Sequence, residues 1–562
     1  MSPALIPFFS ALAAILATLL ALWSSGVARR GSTALAAFAL GLALIVALSA
    51  LPVALTGEAI RARAILPGGV EFGLRLDTLA LVFLVPMLIA ALASVLVAGG
   101  FFERESSVAQ VQPLLLAAVA ALALVILADR IWLAAAGWFL ATLFTFVLIW
   151  RSGDHPGGMA AAAPGLLYGL LAGGFLFTGL SHLATLAGDA GITVISHRGA
   201  EIRASGQHLV PAFLILTGAL AGSGLVPFRK SRSCAIYAPG PVLAFLLPAG
   251  PGLAALYLLA RLAPAASGAG GGGAGSGAAV WGGMLTALVG LSVLVAGMSA
   301  LSRRGLAGIA EAVLTVLLAL AFWLAGQGAT GAMALLVMAM VPAGSALLIC
   351  AGLIRLETGS LRLAVPGGLI NRMPLTALIA GLSLIALCGM APFAGWHALT
   401  ALLETSGAAL LPAGAGYGAW IAVALVVAAY ALIFAALLHS ARLAKLDAAV
   451  SDASGHVSLR DARPALLLMP ALLVGLTALA GLFPGVLSRL AAHTALPAMQ
   501  EGAGAAVLTL WPGSGDIFPW LWFGSVGLGF LIDGLRPRVR QPRLRPDGAG
   551  NEDEDGAGDA IG

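Results

Sequence analysis

Stretches of about 20 consecutive apolar residues, the length a helix needs to cross a bilayer, recur along almost the whole chain. Inside hydrocarbon no water is present to bond the backbone, so each run must satisfy its own peptide groups as a helix. Two stretches break that rule. In AGSGLVPFRKSRSCAIYAPGPVLAFLLPAGPGLAALYLLARL (Ala221 to Leu262), Gly222, Gly224 and Pro227 interrupt one apolar segment, and Pro248, Gly250, Pro251 and Gly252 interrupt the next. Between Leu375 and Leu411 the sequence CGMAPFAGWHALTALLE interrupts another. An unpaired peptide group in lipid costs several kcal/mol, so such breaks are expected only where protein or a wet cavity covers them, as in the interior of a transporter-like bundle.

The apolar fraction of 60%, the charged fraction of 9% and a mean hydropathy of +1.03 leave no room for a sizeable soluble domain. The first run, Ala4 to Trp23, has no preceding basic residue and no clear cleavage site, and is read as a retained helix. Cys234, Cys350 and Cys388 lie far apart, with no metal-ligand spacing and too few thiols for a Cys-ligated iron–sulfur cluster. No nucleotide loop or Ser/His/Asp grouping stands out, and no cofactor is expected.

The pattern predicts an all-α polytopic membrane protein of about fifteen helices, two stretches being discontinuous. They centre on 4–23, 33–55, 78–99, 112–128, 131–150, 162–187, 209–227, 239–262, 279–300, 306–325, 330–353, 375–411, 417–441, 464–487 and 517–535. AILPGGVEFGLRLDTLA, turning at Pro67-Gly68-Gly69, reads as a surface hairpin. Of the 29 Lys and Arg residues, 21 follow odd-numbered helices or lie in the tail and 8 lie on the other side. That asymmetry places the N-terminus outside and the C-terminus in the cytoplasm of a cell inner (plasma) membrane protein. It also accounts for the net charge of +5 without a nucleic-acid partner.

Several stretches, in order, resemble the antiporter-like proton-conducting subunits shared by respiratory complex I, Mrp cation/proton antiporters and membrane-bound hydrogenases of the hydrogenase-4 type. Leu74-Arg75-Leu76-Asp77-Thr78-Leu79 resembles the family's RLDxLS, and Ala128-Asp129-Arg130 through Gly137-Trp138 its ADN…AWE. Gly224-Leu225-Val226-Pro227 matches GLVP, Ala238-Pro239-Gly240-Pro241-Val242 resembles APxPV, and Tyr257-Leu258-Leu259-Ala260-Arg261 resembles YxLLR. Arg372-Met373-Pro374 followed by Gly389-Met390-Ala391-Pro392-Phe393-Ala394-Gly395-Trp396 is similar to RMP…GLPPLNGF.

The resemblance implies six regions: 1–110, N-terminal helices and hairpin; 111–262, a first helix repeat; 263–280, a Gly-rich linker; 281–441, a second repeat; 442–535, C-terminal helices; and 536–562, a disordered charged tail. It also implies a membrane subunit of a proton-translocating redox complex, of NADH-quinone oxidoreductase or hydrogenase type, working with membrane and peripheral subunits.

The ionisable groups that this family carries at mid-membrane are missing from the matching positions. Phe139 stands for the Glu of helix five, Gly222 for the Lys of helix seven, and Pro251-Gly252-Leu253 for the Lys of helix eight. Leu336, Met340 and Gly344 replace the helix-eleven row, and Leu399 the helix-twelve acid. An impaired or lost proton path is therefore expected. The alternatives are a non-conducting scaffold or the membrane component of an inorganic-carbon uptake system.

The residual candidates for a proton path are Glu311, His397, Glu404 and His182. Glu311 lies about two turns after Arg303-Arg304 and is either interior or a first-turn acid favoured by the helix dipole. His397 and Glu404, seven apart, share a helical face. His182 is also open to a reading as a satisfied intrahelical group, and Asp533 reads as an ion pair with Arg536 and Arg538. Arg229, Lys230 and Arg232 are candidates for contact with a partner subunit or anionic lipid, or a topology-setting charge cluster.

Overall fold

The computed structural model describes residues 26–66, 70–101, 111–152, 158–266, 276–359, 362–363, 368–406, 417–445, 461–494 and 518–535. The chain begins there with α1 (Gly26–Ser49) and the single turn α2 (Leu51–Ala54), followed by an antiparallel hairpin of β1 (Ile60–Leu66) and β2 (Val70–Leu76) in which Leu66 faces Val70. Then come α3 (Thr78–Phe101), α4 (Val111–Leu127), α5 (Ile131–Ser152) and α6 (Gly158–Ala187). Two short helices, α7 (Ile192–His197) and α8 (Gly199–Ala204), lead into α9 (Leu209–Ser223). After α9 come the single turn α10 (Lys230–Ser233) and a 3-10 turn, Cys234–Tyr237. The chain continues through α11 (Gly240–Ala249), α12 (Pro251–Ala266), α13 (Ser276–Ser302), α14 (Leu306–Gly326) and α15 (Thr330–Thr358). It ends with α16 (Leu369–Arg372), α17 (Pro374–Leu387), α18 (Ala394–Thr405), α19 (Tyr417–Lys445), α20 (Pro464–Leu482), α21 (Gly485–His493) and α22 (Phe518–Gly534).

Ten spans are long and apolar enough to cross a membrane, and four shorter apolar helices, Val111–Leu127, Leu209–Ser223, Pro374–Leu387 and Trp520–Gly534, accompany them among the described residues. The helix expected at 4–23, the turn at 67–69 and the tail from 536 lie outside those residues, as does the middle half of the Gly-rich linker, 267–275. The helix expected over 464–487 stops at Leu482, and α21 starts afresh after Phe483-Pro484 because Pro484 cannot donate into the preceding turn. The loop after α6 contains α7 and α8, too short to have a readable period.

All three predicted interruptions are real. α9 ends where Gly224 adopts φ 69°, and α17 gives way to α18 through Gly389, also at φ 69°. Each glycine is followed two residues later by a cis X-Pro bond, Val226-Pro227 in one and Ala391-Pro392 in the other. The two breaks thus share both a sequence, Gly224-Leu-Val-Pro-Phe228 and Gly389-Met-Ala-Pro-Phe393, and a backbone path. Between α11 and α12 the break falls at Gly250, just before Pro251.

The middle of the molecule is α15, buried from Thr330 to Ile354 apart from Gly331 and Met338, and packed against α3, α11, α14, α17, α18 and α20. Neighbouring α14 is buried all round from Gly308 to Gly326, as an apolar helix without a polar face must be. Peripheral helices turn large apolar side chains outward, among them Phe38, Phe213, Trp420 and Leu472. Lipid tails are as apolar as those side chains, so burial from water gives little drive for helices to associate, and close packing of small residues supplies it. α11 crosses α15 with Gly240 against Gly352, each occupying the place where the other's Cβ would stand. Gly352→Ala is accordingly expected to destabilise by about 1–3 kcal/mol through overpacking. Gly381→Ala, on a face of α17 with open space, should leave thermal unfolding in detergent unchanged or slightly raised.

Candidate functional site

Two charge clusters sit near opposite ends of α12, with Gly252 in the first and Arg261 in the second separated by about 14 Å along the helix axis.

The first cluster surrounds the break after α9. The left-handed turn at Gly224 folds the chain back so tightly that a Cβ there would lie 2.6 Å from Cβ of Arg232. That turn directs the basic residues inward. Arg229 is partly buried; its Nη2 donates to Ser299 Oγ at 2.9 Å, its Nη1 to the Val295 carbonyl at 3.3 Å, and it faces Glu311 Oε2 at 3.8 Å. Glu311 is 0% exposed, and Thr315 donates to its carbonyl at 2.7 Å and to Oε1 at 3.4 Å. Glu311 is therefore an interior group and not a solvated first-turn acid. Arg232 is buried as well, its Nε and Nη2 making no hydrogen bond. Of the three basic residues singled out for partner or lipid contact, only Lys230 is exposed.

Arg232 reaches a small cavity of about 60 Å³ bordered by Thr142 and Thr145 of α5, Gly222 and Ser223 of α9, and Gly252 of α12. Of these, Gly222 is a position the resemblance assigns to a lysine, and Gly252 lies in the stretch Pro251-Gly252-Leu253 to which it assigns another. The indole of Trp138 lies against Gly222, where a Cβ would meet it at 2.6 Å, and its Nε1 donates to the Gly169 carbonyl at 3.0 Å. Phe139, at the position of the family's Glu, is exposed on one side and packs on Phe177. The positive charge expected from α9 and α12 thus arrives instead from the chain beyond the break.

The second cluster joins the motifs of the resemblance. Asp77, at the N-terminus of α3, accepts from Arg261 Nη1 at 2.6 Å and the Ala80 amide at 3.0 Å, and it pairs with Arg75 Nε at 3.1 Å. Arg75 Nη1 donates to Thr193 Oγ1 at 2.6 Å, and the Thr193 hydroxyl donates to Asp129. Arg130 pairs with Asp189 at 2.8 Å and with Glu71, and the Tyr257 ring lies 5.5 Å from the Arg261 guanidinium. RLD, AD and YxLLR residues, up to 184 positions apart, thereby tie the hairpin, α3, α7 and α12 together.

The other candidates are dispersed. His397 is buried on α18 with Nε2 2.8 Å from the Gly481 carbonyl, which fixes that nitrogen as the protonated one. Glu404 is exposed near the end of the same helix, and His182 is exposed on α6. His439 lies 2.9 Å from the Arg303 carbonyl, and the buried Asp533 pairs at 2.7 Å with Arg442 of α19. The partners Asp533 was expected to take, Arg536 and Arg538, lie outside the described residues. No group of His, Cys, Asp or Glu side chains placed to hold a metal ion is found among the described residues.

This bundle of broken helices around a buried α15 is the architecture of an antiporter-like membrane subunit. The chain belongs to the NADH:quinone oxidoreductase/Mrp antiporter transmembrane family, whose model matches residues 128–416, just over half of the sequence. Na(+)/H(+) antiporter subunit A1 of Staphylococcus aureus, from strains including JH9 and Newman, is 27% identical over 360 residues, covering 60% of this chain and 43% of that protein. The chain thus spans less than half the length of these curated relatives. Among solved structures, a chain of the Mrp complex from Dietzia sp. DQ12-45-1b superposes with a TM-score of 0.79 at 24% identity, covering 94% of this chain and 56% of that one. A chain of the membrane-bound sulfane sulfur reductase, an archaeal respiratory membrane complex, does so at 0.72 and 17%, covering 96% and 85%. At these identities the two structures establish the fold alone.

The Asp77 cluster yields a prediction with a defined pH window. Burial raises the Asp77 carboxyl, but Arg261 and Arg75 outweigh it and hold the group below the ordinary carboxylate value. A native value lowered in this way contributes stability that is complete above about pH 4 and is lost as pH falls through the native value. Asp77→Asn leaves Arg261 buried without its counter-charge and is expected to cost about 3–5 kcal/mol near neutral pH. In thermal unfolding the gap between wild type and variant should narrow only below about pH 4.

Proposed function

We propose that this protein is an antiporter-like membrane subunit of a multi-subunit, redox-linked ion-translocating complex, and that the proton path through the subunit itself is interrupted. One observation carries the second half of that reading. The buried Glu311 and the buried His397 lie on α14 and α18, both packed against α15, and α15 has no Asp, Glu, His, Lys or Arg from Thr330 to Ile354. Leu336, Met340 and Gly344 occupy that stretch and are buried. A proton passing between the two would have to cross a mostly aliphatic helix with no carboxylate, imidazole or amine to accept it, in surroundings where an unsolvated charge is very costly.

The family and the fold shared with chains of larger membrane complexes support a role alongside partner subunits, and the fold shared with a respiratory complex supports a redox link. The repeated Gly-x-x-Pro-Phe break supports two helix repeats, 111–262 and 281–441. The charge asymmetry supports an inner-membrane orientation with the N-terminus outside. A second reading, a subunit of a cation/proton antiporter assembly without redox partners, is favoured by the 27% identity to Na(+)/H(+) antiporter subunit A1. Iron content and flavin absorbance of the affinity-purified complex separate the two.

The interrupted path is tested by proton flux into liposomes holding the assembled complex. Glu311→Gln combined with His397→Asn should leave flux unchanged, whereas removing true carriers of a working path would lower it by roughly 100-fold. A loss of that size, with the complex still assembled, would refute the interruption.

A further inference from the structure

We propose that the cavity at the α9 break is a binding site for one small singly charged anion of the chloride or bicarbonate kind. Three observations meet there. The first is the charge balance: Glu311 lies 3.8 Å from Arg229 and also acts on Arg232, so one carboxylate is shared by two buried or partly buried guanidinium groups and the cluster keeps one surplus positive charge.

The second is the state of Arg232 itself. The residue is more than nine-tenths buried, at 6% exposure, yet its Nε and Nη2 donate to nothing in the protein, and it borders the cavity. A buried guanidinium with unused donors is among the least tolerable groups in a low-dielectric interior, and an anion in the cavity supplies its counter-charge, meeting it at Nη1, since Nε and Nη2 have under 1 Å² of accessible surface.

The third is what stands opposite. Arg232 Nη1 comes within 3.3 Å of the point where a Cβ on Gly252 would be, in the first turn of the sixteen-residue α12. The first amide hydrogens of a helix have no partner within it, and Pro251 contributes none, so Gly252 offers the first. The helix end and the guanidinium both present positive potential to the same space and repel each other when it is empty. Thr142 of α5 and Ser223 of α9 complete a polar wall, and the absence of a side chain on Gly252 lets the guanidinium approach the helix end closely. The site has room for a chloride ion or a planar anion of four heavy atoms, and its single surplus positive charge favours a singly charged one.

The proposal does not rest on the interrupted proton path, because binding is read without any ion flux. Radiolabelled chloride is equilibrated with the purified full chain in nanodiscs, in a gluconate buffer. Saturable binding of one chloride per chain, displaced by bicarbonate, is expected. Arg232→Gln should weaken it at least about 30-fold, as expected when one partner of a buried charge pair is removed. Lys230→Gln, close by in sequence but exposed, should leave it unchanged. If Arg232→Gln fails to fold, Gly252→Ala, which puts a methyl group 3.3 Å from Arg232 Nη1, should produce a comparable loss. Displacement by unlabelled chloride but not by bicarbonate assigns the site to halide; displacement by both assigns it to small monovalent anions in general. Absence of saturable binding, or binding indifferent to both substitutions, overturns the proposal and leaves a cavity that holds water.

Discussion

A peptide group in hydrocarbon cannot turn to water, and the rest of this architecture follows from how the chain meets that demand at three places where its helices stop. At Gly224, Gly250 and Gly389 carbonyls and amides lose their helical partners inside the apolar zone. The structure meets the need locally: the Leu225 amide bonds back to Leu220, the Val226 amide takes Ser292 Oγ at 3.2 Å, and the Phe393 amide takes the Met390 carbonyl. It then surrounds the breaks with helices buried on nearly every side, α14 and α15 above all. A broken helix facing lipid would lack both remedies.

The same breaks govern where charge can stand. A guanidinium on an intact helix at this depth would have to displace a packed neighbour, whereas the chain leaving Gly224 can turn back and carry Arg229 and Arg232 inward, Arg232 to the edge of the cavity that Gly252 borders. Glu311 on α14 then faces a cation that comes from a loop in sequence but from the interior in space. At the far end of α12 the logic is reversed. Asp77, Arg75 and Arg261 are held by regular elements, each carboxylate oxygen is engaged, and the cluster serves to fix the hairpin to the bundle. At one end of α12 each guanidinium is paired with a carboxylate; at the other Arg232 borders a cavity.

What could be read from the sequence divides along physical lines. Span length, the three breaks and the hairpin depend on local chemistry, on apolar runs and on Gly and Pro, and these were legible. The matching Gly224-Leu-Val-Pro-Phe228 and Gly389-Met-Ala-Pro-Phe393 were also there to be seen as a repeat, since the glycines fix a left-handed residue and the prolines end the hydrogen bonding at the same offset. Pairings across long separations were not legible. Nothing local says that Arg229 will meet Glu311 or that Asp77 will meet Arg261, because a cluster such as Arg229-Lys230-Arg232 reads as solvated wherever the helix beside it is taken to end at water. Burial of Arg232 beside an exposed Lys230 depends on the turn at Gly224, a tertiary fact.

Fold and ion conduction are separable in such a molecule because different residues serve them. The contacts that hold the bundle are glycine crossings such as Gly240 with Gly352, the Asp77 network, and caps made at a distance, such as Asp461 accepting from the Leu375 amide and the Thr376 hydroxyl at the start of α17. None of them lies on α15 between Leu336 and Gly344, where an aliphatic side chain packs at least as well as an ionisable one and avoids its desolvation cost. The absence of charge along that face therefore withholds no support from the fold and avoids a penalty. The buried charges that remain are then best understood by what each one faces: Asp77 and Asp533 face cations, His397 a carbonyl, Glu311 a guanidinium, and Arg232 a polar cavity beside a helix end. In the last case alone the protein supplies positive potential on both sides of a space and no negative group within it, which is the arrangement of a site rather than of a support.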